Sequence, residues 1–281
     1  MKTYNDLLHS YHQELEEKDI PAATLRLFLF ELCQERGIDL YRDIDREVSK
    51  EFLERFESGM ERILQEEPLA YVLGYRWFYG YKFKVNGDVL IPRDETEELA
   101  ALILSVIDRE YAGKEITAAD VGCGSGAIGL TLKKEIPSLS ITLSDISAEA
   151  LKVAEENAKA LDCEAALLCG DMLEPLKEQG TKLDILVSNP PYIPQEEVLE
   201  TSVIDFEPHV ALFGGEDGLR FYRVLLSGAR EIMKEHGYIF FEIGWNQKEN
   251  LLALAGQYFP EGKAEVFKDI NGKDRMFQLK F

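Results

Sequence analysis

The chain has 281 residues, 46% of them apolar, which is enough for one large domain and one small domain, each with its own core. A formal net charge of -21 argues against a protein that grips duplex nucleic acid, because such proteins normally present a basic face to the phosphates. The polar, acidic start of the chain is unlike a signal peptide and no apolar run approaches the roughly 20 residues of a membrane span, so we expect a soluble cytoplasmic protein.

The first 70 residues (1–70) predict a small bundle of helices that forms a domain of its own. Apolar residues recur at helical spacing between Leu7 and Leu15. A second helix is predicted between Pro21, which suits a first turn, and Gly37, which suits a cap. A third helix is predicted over about 46–66, where apolar residues again form a stripe.

The next segment, residues 71–93, predicts a linker with a β-hairpin. It is rich in aromatic and β-branched residues and contains Gly74, Gly80 and the turn signal Asn86-Gly87. Its aromatic side chains either face a substrate or pack between domains, and packing is the simpler interpretation.

Residues 94–281 alternate between helical and extended patterns. The extended segments that predict strands are ITAADVG, LSITLSD, EAALLCGD, LDILVSN and GYIFFEIG. The helical patterns that alternate with them imply a parallel sheet with helices on both faces, which is the α/β class. The last two segments, AEVFKD and DRMFQLKF, are joined by Asn271-Gly272 and predict an antiparallel pair.

A glycine-rich loop follows the first predicted strand and opens a helix. The loop is Gly122-Cys123-Gly124-Ser125-Gly126, and it lets a ligand approach the backbone where a helix N-terminus exposes free N–H groups. Asp145 ends the second strand and is placed to accept hydrogen bonds from both hydroxyls of a ribose. Asp171, followed by Met172, ends the third strand and suits the amino group of an adenine.

These residues leave the ligand open between two classes. The run from Gly124 to Gly129 also matches GxGxxG, so a nicotinamide- or flavin-dependent oxidoreductase competes with a methyltransferase. The DxGxGxG arrangement that begins at Asp120, together with the further acid at Asp171, favours S-adenosylmethionine as the ligand.

The tetrapeptide Asn189-Pro190-Pro191-Tyr192 ends the fourth predicted strand, at the edge that faces the ligand crevice in such a sheet. The prolines hold Asn189 extended and remove two N–H donors. The Asn189 side chain and the Pro190 carbonyl can therefore accept both hydrogens of a planar amide or amine nitrogen and aim its lone pair at a methyl donor. We predict that Asn189, Pro190 and Tyr192 are catalytic, that the whole tetrapeptide binds the substrate, and that Tyr192 packs against the flat target group.

Other functions remain open from the residues alone. A nucleic-acid adenine methyltransferase would use the same tetrapeptide, although the acidic charge speaks against it. An oxidoreductase gives no reason for the tetrapeptide, and a catalytically silent binding protein gives none for keeping it intact. The cysteines and histidines have no zinc-like spacing, so no metal site is expected.

Several longer stretches resemble one known family. They are PLAYVLGYRWFYGYKFKVNGDVLIPRDETEEL, DVGCGSGAIGL, SDISAEAL, VSNPPYIP, EPHVALFGGEDGLRFYR and KDINGKDRMF. In these stretches the chain resembles the HemK/PrmC family, the protein-glutamine methyltransferases that modify peptide-chain release factors. The tetrapeptide is shared with DNA adenine methyltransferases, whereas the first stretch and the segment Glu207–Arg223 are more specific.

The resemblance implies a Rossmann-like class I S-adenosylmethionine-dependent methyltransferase domain with a seven-stranded, mostly parallel sheet, behind an all-α N-terminal domain that docks the release factor. It implies methylation of the side-chain amide of the glutamine in a Gly-Gly-Gln motif, with no nucleic-acid substrate, and we expect a monomer. Carried over by residue, Gly122 to Gly126 line the methionine part of the cofactor, Asp145 takes the ribose, and Asn189 touches cofactor and substrate. Met172 stands where the family often has an aromatic residue against adenine, and Cys123 where threonine is common.

Overall fold

The computed structural model describes residues 2–180, 182–198 and 201–281. The chain divides into two compact units. The first unit contains the chain up to Tyr75 together with the short helix Thr201–Phe206, and the second contains the rest, from Arg76 onward.

The regular elements of the first unit, among its described residues, are helices, apart from an isolated bridge between Thr3 and Glu47 and the start of a strand at Tyr75. Its helices are α1 (Tyr4–Leu8), α2 (His12–Glu17), α3 (Ala22–Glu35), α4 (Lys50–Ile63), α5 (Leu69–Leu73) and, later in the chain, α10 (Thr201–Phe206). The predicted all-α N-terminal domain is confirmed. The first predicted helix is divided in two because Tyr11 has a left-handed φ of 61°, which interrupts the helical hydrogen bonds between α1 and α2.

Sequence signals explain where these helices begin and what they bury. Thr3 and Asp6 form a capping box at α1, and the Ser49 hydroxyl accepts a hydrogen bond from the Phe52 N–H at the start of α4. The buried stripes of α3 and α4 meet in one core, where the rings of Phe28 and Phe56 stack with centroids 5.7 Å apart.

A two-stranded hairpin, β1 (Tyr75–Phe78) and β2 (Tyr81–Lys84), lies between the first helices and the large sheet in sequence. Its turn is made by Tyr79 and Gly80, whose φ angles are 51° and 79°. The Asn86-Gly87 pair lies beyond the second strand, where the Asn86 side chain accepts a hydrogen bond from the Asp88 N–H at 3.1 Å.

The second unit contains a seven-stranded sheet in the order β5-β4-β3-β6-β7-β9-β8. Its strands are β3 (Thr117–Val121), β4 (Ser140–Asp145), β5 (Ala166–Cys169), β6 (Leu183–Ser188), β7 (Met233–Glu242), β8 (Lys263–Lys268) and β9 (Asp274–Lys280). Strands β3 to β7 pair in parallel, and β9 pairs antiparallel with both β7 and β8. The predicted α/β class, the seven strands and the C-terminal antiparallel hairpin are confirmed.

Helices precede and connect the strands of this sheet. They are α6 (Asp94–Tyr111), α7 (Ala127–Glu135), α8 (Ala148–Ala160), α9 (Glu174–Gln179), the 3₁₀ helix His209–Ala211, α11 (Arg220–Ile232) and α12 (Lys248–Tyr258). Helix α8 is capped at its start, since the Ser147 hydroxyl accepts a hydrogen bond from the Ala150 N–H at 3.1 Å. The sequence pattern did not predict α9, α10 or the 3₁₀ helix, each of which is too short for a helical repeat.

The central strands are mostly apolar because both of their faces are buried. In β6, Ile185 and Val187 join one core cluster while Leu186 joins the other, as the two-residue period of a strand requires. The chain order reverses beside β3, which has β4 on one side and β6 on the other. A crevice therefore opens beyond the carboxyl ends of these strands. Among the helices of the described residues, none is long and apolar enough to cross a membrane.

Candidate functional site

One cavity of about 270 Å³ lies at the carboxyl edge of the sheet. The residues predicted from the sequence that line it are Gly122, Cys123, Gly124, Ser125, Asp145, Asp171, Met172, Asn189 and Pro191. They come from four strand ends that are distant in sequence and meet only in the folded sheet. Of the other predicted residues, Gly126, Pro190 and Tyr192 are not among the described residues that line it.

The glycine loop is fixed to the neighbouring strand by backbone hydrogen bonds. The N–H groups of Gly122 and Cys123 both donate to the Ser144 carbonyl, at 2.8 and 3.0 Å. Gly122 and Gly124 have φ angles of 71° and 54°, and a Cβ built on either one would have no atom within 4 Å. The loop therefore exposes its backbone to open space inside the cavity, which is how a ligand comes close to a peptide chain.

Asp145 connects the loop to the end of β4. One carboxylate oxygen accepts from the Gly124 N–H and the other from the Ser147 N–H, each at 2.9 Å. Burial raises the pKa of Asp145, and these backbone donors oppose that shift. A carboxylate offers about four acceptor positions, so each oxygen can still accept a hydroxyl from a ligand.

Asp120 contributes a second carboxyl group to the cavity wall, and this one is fully buried. Its Oδ2 accepts from the Gly129 N–H at 2.9 Å, while its Oδ1 is buried and has no hydrogen-bond partner among the described residues. Burial raises the pKa of Asp120 to about 7, and the neighbouring Asp145 adds to the shift. Asp120 lines the cavity, and a buried carboxyl oxygen without a hydrogen-bond partner is rare in folded proteins.

The end of β5 supplies the next part of the wall. Asp171 and Met172 both line the cavity, and Met172 has a left-handed φ of 46°. The carbonyl of Asp145 accepts from the Gly170 N–H at 2.9 Å, which ties this corner to the end of β4.

The tetrapeptide follows β6, and its residues take different positions. Asn189 and Pro191 line the cavity, and the two prolines are buried. The Ser188 hydroxyl just before them donates to the Val121 carbonyl at 2.6 Å, which joins the tetrapeptide to the glycine-loop strand. The Tyr192 hydroxyl donates to a carboxylate oxygen of Glu242 at 3.2 Å.

Sequence reasoning missed a large part of the cavity wall. The missed residues lie mainly in the stretches 88–96 and 208–221, and they include Arg93, Thr96, Arg220 and Phe221. In this wall the buried Glu207 carboxylate accepts hydrogen bonds from the Ile91 N–H, at 3.1 Å, and from the Arg93 guanidinium, at 2.5 Å. Both stretches belong to the family-like segments of the sequence, which was the only signal available for them.

Metal binding has no support in the described part of the chain. No group of three or more His, Cys, Asp or Glu side chains among the described residues is arranged to hold a metal ion.

Comparisons with known proteins agree with this geometry. Residues 6–74 match the family described as PrmC N-terminal domain, and residues 91–206 match the family described as Methyltransferase small domain. The second match contains the glycine loop, Asp145, Asp171 and the tetrapeptide.

Full-length relatives are similar as well. The release factor glutamine methyltransferase of Bacillus cereus is 44% identical over 241 residues, which cover 85% of this chain and 84% of the relative. That of Bacillus subtilis is 42% identical over 281 residues, which cover 98% of this chain and 96% of the relative. A methyltransferase structure from Pyrococcus furiosus has a TM-score of 0.51 at 17% identity, covers 80% of this chain and 98% of its own, and shares the fold.

Proposed function

The chain belongs to the family of release factor glutamine methyltransferases, and we propose that it transfers a methyl group from S-adenosylmethionine to the side-chain amide nitrogen of the glutamine in a release factor's Gly-Gly-Gln motif. The observation that carries the proposal is the single cavity onto which the glycine loop, Asp145 and Asn189 all open. The family resemblance expected from the sequence is confirmed, and with it a methyltransferase that depends on S-adenosylmethionine.

The cavity residues fit that cofactor. The open space beside Gly122 and Gly124 suits a chain that lies against the backbone, and the Asp120 carboxyl group in the cavity wall suits a nearby ammonium or sulfonium charge. We propose that Gly122 to Gly126 hold the methionine part, that Asp145 holds the ribose hydroxyls, and that Asp171 and Met172 hold the adenine. When bound, the cofactor supplies a methyl group on a sulfonium, which is the electrophile of the reaction.

The tetrapeptide is proposed to bind the glutamine amide. An amide nitrogen is a poor nucleophile because its lone pair is delocalised into the carbonyl. The Asn189 side-chain oxygen and the Pro190 carbonyl would each accept one N–H hydrogen, which fixes the plane of the amide and presents its nitrogen to the methyl donor. The nitrogen loses one of its two protons on methylation, and we propose that this proton leaves late, to solvent.

We further propose that the helical domain, residues 1–70, docks the release factor. The match of residues 6–74 to the PrmC N-terminal domain supports a distinct role for this segment. The net charge of -21 supports a protein substrate over a nucleic acid. The proposed activity belongs in the cytoplasm, where peptide chains are terminated.

A labelling experiment tests the proposal. The protein is incubated with methyl-labelled S-adenosylmethionine and either a purified release factor or duplex DNA, and the label is located by peptide mass spectrometry. Label on the glutamine of the Gly-Gly-Gln peptide is expected. Label in DNA alone would establish the adenine methyltransferase instead, and no label in any glutamine peptide would refute the proposed activity.

A further inference from the structure

Tyr192 is held in place at two points by residues outside its own loop. Its hydroxyl donates to Glu242 Oε1 at 3.2 Å, and its backbone carbonyl accepts from the Gln247 side chain at 3.1 Å. Gln247 is itself buried and fixed, because its side-chain oxygen accepts from the Gly244 N–H at 2.9 Å. The last residue of the tetrapeptide is thus attached to the segment that ends and follows β7.

Glu242 is the centre of these contacts. Its side chain is buried, and its second carboxylate oxygen accepts from the Thr96 hydroxyl at 2.5 Å. Thr96 belongs to α6 and lines the cavity. One carboxylate therefore joins a cavity-lining residue on α6 to the tyrosine of the substrate loop, across 146 positions of sequence on one side and 50 on the other.

A cation completes the cluster behind Tyr192. Arg275 of β9 donates to the Tyr192 hydroxyl at 3.4 Å and to the Ile243 carbonyl at 3.3 Å. Its Nε also donates to Asp269 at 3.3 Å. The Tyr192 hydroxyl accepts from one charged partner and donates to another, so its position is fixed by direction as well as by packing.

A buried carboxylate of this kind costs stability. Burial raises the pKa of Glu242, while hydrogen bonds from Thr96 and Tyr192 and the charge of Arg275 oppose that shift. A glutamine would fill the same space without a charge, so packing alone gives no reason for an acid here.

We propose that Glu242 is a positioning residue for methyl transfer, which acts through the Tyr192 hydroxyl to hold the Asn189–Tyr192 loop in the geometry that orients the acceptor amide. The proposal rests on the proposed function. In this role Glu242 contacts neither the substrate nor the cofactor. Because small displacements of a reacting group reduce rates steeply, loosening this one contact is expected to lower turnover more than binding.

The test compares Glu242→Gln with wild type in the release-factor assay. The variant is expected to have kcat lower by about 10- to 100-fold, an unchanged Kd for S-adenosylmethionine by calorimetry, and a melting temperature within about 4 °C of wild type. Asp184→Asn is the matched control. Asp184 is also a largely buried acid whose carboxylate accepts two hydrogen bonds, but it lies at the end of β6 that is far from the tetrapeptide. The kcat of this control is expected to equal that of wild type.

A second comparison isolates the route through Tyr192. Tyr192→Phe removes the hydroxyl, and in that background Glu242→Gln is expected to lower kcat by less than about threefold, because two residues that act as a unit are not additive. A full further loss when Glu242→Gln is added to Tyr192→Phe would show that Glu242 acts elsewhere, for example through Thr96, and would overturn the proposal.

Remaining outcomes are also decisive. If Glu242→Gln does not fold, Glu242→Asp keeps the charge but shortens the side chain by one methylene, and the same loss of kcat is expected. Unchanged kcat in a folded variant at position 242, or an equal loss in Asp184→Asn, overturns the inference while the proposed function stands. Absence of glutamine methylation by wild type refutes the proposed function, and the inference with it.

Discussion

Asp120 is a carboxyl group in a place that disfavours its charge. It is 1% exposed, and burial raises its pKa to about 7. An aspartate in an unfolded chain titrates near 3.9, so between about pH 4 and pH 7 the native state holds a proton that the unfolded state has lost. The free energy of unfolding of the ligand-free protein should therefore fall as the pH rises through this window, by as much as about 4 kcal/mol.

Asp120→Asn tests this cost. The amide oxygen can still accept from the Gly129 N–H, but no charge is buried. We expect the ligand-free variant to be more stable than wild type at pH 8 in urea unfolding, with the difference shrinking towards pH 5. The variant should also bind S-adenosylmethionine more weakly, because the cationic groups of the cofactor lose the negative charge of Asp120. A variant less stable than wild type at pH 8 would contradict the argument.

Alanine substitutions at Asn189 and Asp145 should have different effects: the first should lower turnover and the second should weaken cofactor binding. Asn189→Ala removes one acceptor for the amide and should lower kcat by about 100-fold or more, with the Kd for S-adenosylmethionine changed less than about threefold. Asp145→Ala removes both ribose acceptors and should mainly weaken cofactor binding, by about 1.5–3 kcal/mol. Calorimetry and steady-state kinetics on both variants check the pair; normal turnover in Asn189→Ala at saturating cofactor would refute its assigned role.

Among the loops, the one before α11 is constrained by the tetrapeptide. Gly218 has a φ of 71°, and a Cβ there would lie 2.2 Å from the Tyr192 carbonyl oxygen. The Gln247 side chain bridges the carbonyls of both residues, at 3.1 and 3.2 Å. The loop and the tetrapeptide therefore hold each other in position through backbone atoms, which cannot rotate away as a flexible side chain would.

Gly218→Ala should therefore reduce both stability and turnover. Overpacking and the left-handed backbone together should cost about 2–4 kcal/mol, and displacement of Tyr192 should lower kcat. Gly272→Ala is the control, since Gly272 has a φ of 77° but no atom within 4 Å of a built Cβ. This control should lose about 1 kcal/mol of stability in thermal unfolding and keep its activity. Equal effects of the two substitutions would mean that the left-handed backbone causes the loss, and not the contact with Tyr192.

The features that could be predicted from the sequence are those carried by short motifs of neighbouring residues. The glycine loop, Asp145 and the tetrapeptide each follow an apolar strand, and parallel strands bring their carboxyl ends to one edge, so their meeting was predictable. Thr96, Glu242 and Gln247 were not, because their contacts join residues that are 50 to 146 positions apart and no short pattern carries them. The short helices α9 and α10 were missed because six residues do not fill two helical turns.

At the scale of the molecule, the two units have separate cores. The buried residues of the first core all lie between Tyr4 and Ile63, and those of the two clusters around the sheet all lie beyond Arg76. The cavity is lined by residues of the second unit. A ligand that binds there stabilises the native state of that unit directly.

Hydrogen exchange should reveal this division. At 100 times its Kd, S-adenosylmethionine stabilises the unit it binds by about 2.7 kcal/mol, so amides of β3 and β4 that exchange through opening of that unit should slow by up to about 100-fold. Amides of α3 and α4 should exchange at nearly unchanged rates. Mass spectrometry of the exchanged peptides measures both, and equal slowing in α3 would mean that the units open together.

The helix Thr201–Phe206 belongs to the first unit but is synthesised much later than the rest of it. The unit's other helices have all been made by Tyr75, but this last one leaves the ribosome roughly 130 residues later. At about 5–20 residues per second, that delay is roughly 7–26 s. The core of the helical unit, residues 4–63, is therefore synthesised before this last helix, and strands β3 to β6 are translated in between.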